Sequence, residues 1–453
     1  MPRPDTPDTP AQQPIPLPVL GPGGSHRGAP RGGGQTGGGQ LRGGPIGIGG
    51  PGALRGKPPA RRGFWAAPHR PLFTAAALWA ILALVWWRWG PVAGLTQPAF
   101  ATPGEWHAHE MYLGIGGAAM GGYFLTALTS WTGRAPLAGP GLMALAGLWL
   151  LARAAAAAAG VGLVPALWIA PVAPLYFVAL AGVLLWHITA ARAWHRLGFP
   201  AAVAGLALAQ GLFLAATDGI GPWDSATLIR VFVMFYAIKV SIIAGGMIPA
   251  FGGNWLAQNR PDVPPPHDPP GRKWAGLAVL FSALGLTLAG QEGASALALI
   301  AAAAILAWRL SGWRLGAMRA SALMLMLQAA FLWLVAGLCG VGLARLFPGL
   351  WTEADALHAL AMGAMAGLVM ALGARASARR DGGALRATPW LVAAVLALAA
   401  AAALRIAAPV LAREPMLEAA TGIWVLGWAA FLVTWLPSLR GIPPRPVFSG
   451  PRA

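Results

Sequence analysis

Charge is scarce in this 453-residue chain: Asp, Glu, Lys and Arg make up 10% of it, against 57% apolar residues. A soluble domain carries about 25% charged residues, so a chain this poor in charge cannot cover a water-facing surface of its own. Most of its surface must face lipid. Cysteine is nearly absent. Cys339 alone, inside an apolar run, excludes an intramolecular disulfide, an iron–sulfur cluster and a covalently attached c-type haem, and it reads as a small residue at a helix contact. Acids are the scarcer sign, 14 against 32 Lys and Arg, for a formal net charge of +18. These bases do not form a basic domain. They sit in short loops between apolar runs, where they orient helices, so nucleic acid is not an expected partner.

Residues 1–62 have no apolar periodicity and are rich in Gly, Pro and scattered Arg, which predicts a disordered tail. No apolar stretch of about ten residues follows its charges, so it is not a signal peptide. Apolar segments of spanning length, about 20 residues each, then recur twelve times. They lie near 71–89, 108–130, 136–158, 163–189, 199–217, 227–250, 274–290, 294–310, 320–343, 354–374, 389–408 and 415–436. The expected fold is an all-α polytopic membrane protein of about twelve transmembrane helices over 63–440, with a short tail at 441–453.

The connections support this count. Basic ones (around Arg134; Arg192 and Arg196; Arg260, Arg272 and Lys273; Arg314 and Arg319; Arg375 to Arg386; Arg440 onward) alternate with loops that are uncharged or acidic. The positive-inside rule then places both termini in the cytoplasm. Arg345, Arg405 and Arg413 fall on the other side, where they are expected to pair with acids or to snorkel. Small residues four apart (Gly114, Ala118 and Gly122; Gly117 and Gly121; Gly363 and Gly367) predict close backbone contacts on the second and tenth helices.

Two constellations stand at the outer entrances of those same helices. Trp106-His107-Ala108-His109-Glu110-Met111 opens the second. Ionisable groups there are costly and usually functional. His107 and His109 diverge by about 200° on a regular helix, so they serve different neighbours, whereas His107 and Met111 share a face as an imidazole–thioether pair suited to a soft metal such as copper. Asp355, His358 and Met362 open the tenth helix. There Asp355 is placed to orient the His358 imidazole, and His358 and Met362 repeat the four-residue spacing. Histidines delivered by two helices at one depth can sandwich a haem or share a copper.

Other polar positions read differently. Gly245 to Trp255 holds Pro249 among glycines, which predicts a hinge or helix exit. Lys239, on the sixth helix, needs an anionic or carbonyl partner. His26, His69, His195 and His267 read as solvated or interfacial, with His187 held in reserve.

The chain resembles the NnrS family of bacterial membrane proteins that contain haem and copper and are associated with the response to nitric oxide. The resemblance is carried by Trp106-His107-Ala108-His109-Glu110-Met111, by Gly122 to Ala127 and Trp131-Thr132-Gly133-Arg134, by Ile248-Pro249-Ala250-Phe251 with Asn254-Trp255-Leu256, by Arg309-Leu310 and Trp313, and by Ala356-Leu357-His358-Ala359-Leu360. It spans about 70–440. After the tenth helix Arg375 and Ser377 keep the family pattern, but the histidine that usually follows is missing. The resemblance implies a non-covalent b-type haem near the outer leaflet, held by His358 with His107 or His109. Glu110 and Asp355 would be orienting groups, and Met111 and Met362 would be available to copper. It also implies a bacterial inner-membrane location and nitric oxide as a partner.

Two other classes remain open. Twelve spans with both termini inside is also a plan for secondary transporters of small solutes, though the sequence shows no convincing internal repeat and no charged pair at broken helices. A haem–copper oxidase needs three copper-binding histidines on its middle helices, and helices six and seven contain none. No catalytic machinery is legible.

Overall fold

The computed structural model describes residues 62–349, 351–381 and 384–448. The disordered tail expected before residue 62 lies outside them, as do the final residues of the chain. Twelve helical segments are present: α1 (His69–Trp89), α2 (Pro103–Thr132), α3 (Pro140–Gly160), α4 (Leu175–Ala190), α5 (Gly198–Ala216), α6 (Ser225–Asn259), α7 (Pro270–Leu288), α8 (Glu292–Ser311), α9 (Ala322–Leu346), α10 (Glu353–Ser377), α11 (Pro389–Ala407) and α12 (Arg413–Ser438). Ten of these are long and apolar enough to cross a membrane. The two that fall short are α4, which has only 16 residues, and α7, which carries Arg272 and Lys273 in its first turn. A two-stranded antiparallel hairpin, β1 (Arg379–Asp381) and β2 (Ala384–Arg386), follows α10. Leu82, Leu150, Trp186, Leu208, Phe281 and Leu396 stand exposed on the outside of the bundle, as a lipid-facing surface requires and a soluble monomer avoids. This is an all-α, multi-pass membrane protein.

The helices fall into three successive groups of four. In each group the first helix packs on the second, and the third packs on the fourth. The groups join in a ring because α4 packs on α5, α8 on α9 and α12 on α1. The second members, α2, α6 and α10, meet one another at the centre. Burial follows position: 89% of the apolar window of α2 is buried inside the bundle, against 28% for peripheral α11. The central helices begin alike, with Thr102, Asp224 and Thr352 each accepting the amide three residues on, which satisfies an otherwise orphaned N–H. This threefold order of contacts was not legible in the sequence.

The two ends of the bundle meet on one face, where the Gly63 amide donates to the Gly441 carbonyl at 3.0 Å. The Arg70 guanidinium donates to the carbonyls of Gly63 and Gly441 at 2.7 and 3.0 Å. An even number of crossings places both ends on the same side, as this contact requires. It is the face of the basic loops, the inner face by the positive-inside rule.

Some elements differ from expectation. The segment expected at 163–189 is a short turn at Ala166–Ile169 followed by α4, because Pro165, Pro171 and Pro174 interrupt helical hydrogen bonding. The expected hinge at Pro249 is instead continuous helix, and α6 runs on to Asn259. Proline removes the donor for the carbonyl of Gly245, and Arg309 Nη2 replaces it at 2.8 Å while Asp268 holds the same guanidinium at 2.7 and 2.8 Å. A Cβ on Gly245 would lie 2.4 Å from Arg309 Nη1, so that glycine makes room for the substitute donor. His69 is buried rather than solvated, at the start of α1 beside Thr126, Trp435 and Phe448.

Candidate functional site

Thr102, Pro103 and Glu105 fix where α2 begins, and therefore where its histidines point. Thr102 and Glu105 cap each other, Thr102 Oγ1 accepting the Glu105 amide at 3.3 Å and Glu105 Oε2 accepting the Thr102 amide at 2.8 Å. Ser225, at the start of α6, donates its hydroxyl to Glu105 Oε1 at 2.5 Å and ties the two central helices together. The helix is therefore already formed at His107 and His109, and the two side chains leave on different sides.

His107 turns toward α10. Its ring centre lies 6.5 Å from that of His358, with planes 21° from parallel, and Trp87 covers it at 4.3 Å. The two imidazoles border a cavity of about 560 Å3 between α1, α2, α6, α10, α11 and α12, which Met111, Met362 and Met365 also line. The volume lies within the range of roughly 300–1,000 Å3 usual for pockets that enclose a cofactor-sized molecule. His358 Nδ1 donates to the carbonyl of Ala354 at 2.7 Å, which leaves its lone pair on Nε2. Nδ1 of His107 is buried without a hydrogen-bond partner among the described residues, so it is free to act as a donor atom toward the cavity. The helix widens into a π segment three residues after His107, at Glu110–Gly116 on α2, and directly after His358, at Ala359–Ala366 on α10. Such widenings re-aim side chains and are frequent at functional sites.

His109 and Glu110 lie elsewhere, in the groove facing α1, α3 and α5. Glu110 is fully buried and accepts three charge-assisted or indole hydrogen bonds, from Trp79 Nε1, Arg153 Nη1 and His109 Nδ1, each at 2.7 Å. Gln210 Nε2 donates to the remaining ring nitrogen of His109 at 3.0 Å. Both nitrogens of His109 are thus engaged, and Phe100 and Phe213 pack against its ring.

Asp355 does not reach His358. It lies outside the cavity lining, where Thr352 donates its hydroxyl to Oδ2 at 2.7 Å. Arg405 reaches Oδ1 at 2.7 Å and Arg413 at 3.5 Å. The orienting group of His358 is the Ala354 carbonyl instead, because a helical side chain leans back over the preceding turn and two arginines compete for the carboxylate. The structure therefore brings together His107, Met111, His358 and Met362, and leaves His109, Glu110 and Asp355 outside the cavity wall.

Arg405 and Arg413 border this cavity, with Arg88 beside them, and none of the three was a sequence candidate. The available signal was an arginine at the outer end of an apolar helix, against the positive-inside pattern. The expected pairings hold: Arg405 with Asp355, and Arg345 with Glu353 at 2.7 Å. Among the described residues no group of three or more His, Cys, Asp or Glu is placed to hold a metal ion. The donor set at the cavity is two imidazoles and thioethers, which suits haem iron or copper better than zinc or calcium.

The family model described as NnrS protein matches residues 63–442, which include all twelve helices. No curated protein matches the chain.

Proposed function

The chain belongs to the NnrS family, and on that premise we propose that it is a bacterial inner-membrane protein that holds a b-type haem between His107 and His358 and serves the response to nitric oxide. The observation that carries the proposal is the approach of two imidazoles, from α2 and α10, across one apolar cavity. With ring centres 6.5 Å apart, His107 and His358 are the residues that would hold the iron. Bound there, a haem iron supplies one-electron chemistry. The chain's part is to place both imidazoles, fix the His358 tautomer through Ala354 and exclude water with apolar walls. Copper, if bound, finds a soft set in His107 with Met111, or His358 with Met362.

The decisive measurement is the visible spectrum of detergent-purified protein, oxidised and reduced, with iron and copper analysis. A Soret band with stoichiometric iron, lost on His358→Ala, is the expected result. Folded protein that stays colourless and metal-free after expression with ample haem would overturn the reading.

A further inference from the structure

The charged side chains that line the cavity of His107 and His358 all stand at its outer end. Arg88 and Arg405 come from the last turns of α1 and α11, and Glu105 and Arg413 from the first turns of α2 and α12. Deeper than the two imidazoles the lining is Met111, Ile115, Met362, Met365 and Trp424 with other uncharged residues. The cavity has one charged end and one apolar end.

The acids nearby do not hold all of this charge. Glu105 is committed to the Ser225 hydroxyl and the Thr102 amide, and Arg88 is held by Glu414 and Glu418 at 2.8 and 2.5 Å. Arg405 and Arg413, however, share one carboxylate oxygen, Oδ1 of Asp355, at 2.7 and 3.5 Å. Arg405 uses only Nη1 for that contact, and among the described residues its Nε and Nη2 have no acceptor. These two nitrogens form the edge by which Arg309 grips both oxygens of Asp268. Other cations inside the bundle have partners of their own. Arg153 has Glu110 and Arg309 has Asp268. Lys239 lacks the anionic or carbonyl partner expected for it and is met by ring faces instead, 4.6 Å from the centre of Phe124 and 5.2 Å from those of Phe235 and Tyr236. At the cavity two guanidinium groups and one carboxylate leave a spare positive charge and an uncommitted pair of N–H donors.

We infer that Arg405 and Arg413 bind the carboxylates of the bound porphyrin, an inference that rests on the cofactor reading above. A b-type haem is apolar over most of its surface and carries a pair of carboxylates on one edge, so it matches a cavity with one cationic and one apolar end. A guanidinium edge suits a carboxylate because its two parallel N–H groups meet both oxygens. Arg405, with its side chain only 16% exposed, is the stronger of the two contacts. Arg413, at 54%, is screened by water and contributes less.

Metal-free protoporphyrin IX and its dimethyl ester test this without iron, titrated into detergent-purified full-length protein and read by porphyrin fluorescence. The quantity of interest is the preference for acid over ester, compared between proteins so that partition of each porphyrin into detergent cancels. In Arg405→Gln/Arg413→Gln that preference is expected to fall by about ten- to a hundredfold, with affinity for the ester unchanged. Arg413→Gln alone, at an exposed position, should give a smaller fall in the same direction, and it decides the matter if the double variant does not fold. Asp355→Asn, which releases both guanidinium groups, should raise the preference. An unchanged preference overturns the inference, and so does a double variant that loses acid and ester alike. In both cases a Soret band with haem would leave the cofactor reading standing. Protein that binds neither porphyrin would overturn both.

Discussion

His107 and His358 come from the second and tenth helices, yet their imidazoles face each other at 6.5 Å, 21° from parallel. His109, two residues from His107, faces the other way, with Glu110 and Gln210 on its two nitrogens. Helical geometry alone separates these neighbours, and the distinction yields the most direct test of the site.

Replacing His107 by Ala should remove the haem signal from correctly inserted protein, as should His358→Ala. In His109→Ala the Soret band per folded protein should persist while thermal stability falls, because Glu110 and Gln210 each lose a buried partner at about 1–3 kcal/mol apiece. A red His107→Ala protein beside a colourless His109→Ala protein would reverse the assignment.

The helix contacts predict a graded response to added methyl groups. A Cβ on Gly121 would lie 2.1 Å from the Tyr176 hydroxyl, and one on Gly363 would lie 2.4 Å from the Trp333 ring. Each Gly→Ala change should cost about 1–3 kcal/mol by overpacking. Gly147, with nothing within 4 Å of its Cβ position, should accept Ala without loss. Melting temperatures in detergent rank the three, and equal values would show that the contacts do not constrain packing.

Hydropathy and loop charge made the twelve-helix plan legible, because lipid leaves few alternatives for a chain so poor in charge. The threefold grouping was not legible, since it resides in element order and packing while Ala, Gly and Leu fill every helix alike. His107 and His358 could be singled out by matched depth. Their pairing could not be read, and neither could the allegiance of Asp355, because Arg405 lies 50 residues away in sequence from its carboxylate partner. Pro249 was misread for a similar reason: the donor that rescues the Gly245 carbonyl comes from Arg309, on a different helix.

The buried cluster around Glu110 should behave as one unit. Glu110→Ala leaves Arg153 charged without its carboxylate inside the bundle, and Arg153→Ala removes the cation that balances Glu110, which keeps only Trp79 and His109. Each should cost about 3–5 kcal/mol. The double change to Leu and Met should recover much of that loss, giving a large coupling energy in a double-mutant cycle. Additive losses would mean that the 2.7 Å contact contributes little.

Arg405 and Asp355 give a test with a sign. Arg405 lines the cavity, and Asp355, just outside its wall, is joined to it at 2.7 Å. Reducing a haem iron removes one positive charge, so a neighbouring cation favours the reduced state and a neighbouring anion opposes it. Arg405→Gln removes the cation and leaves Asp355 with only the more distant Arg413, 3.5 Å away, so both changes should lower the midpoint potential. Asp355→Asn should raise it, and Arg405→Lys should leave it nearly unmoved. A shift on the order of tens of millivolts is expected for a unit charge several ångströms away at an effective dielectric constant of about 20. Potentiometric titration of the Soret band reads all three variants. If Arg405→Gln and Asp355→Asn move the potential in the same direction, the pair acts by holding the cavity's shape and not by its charge.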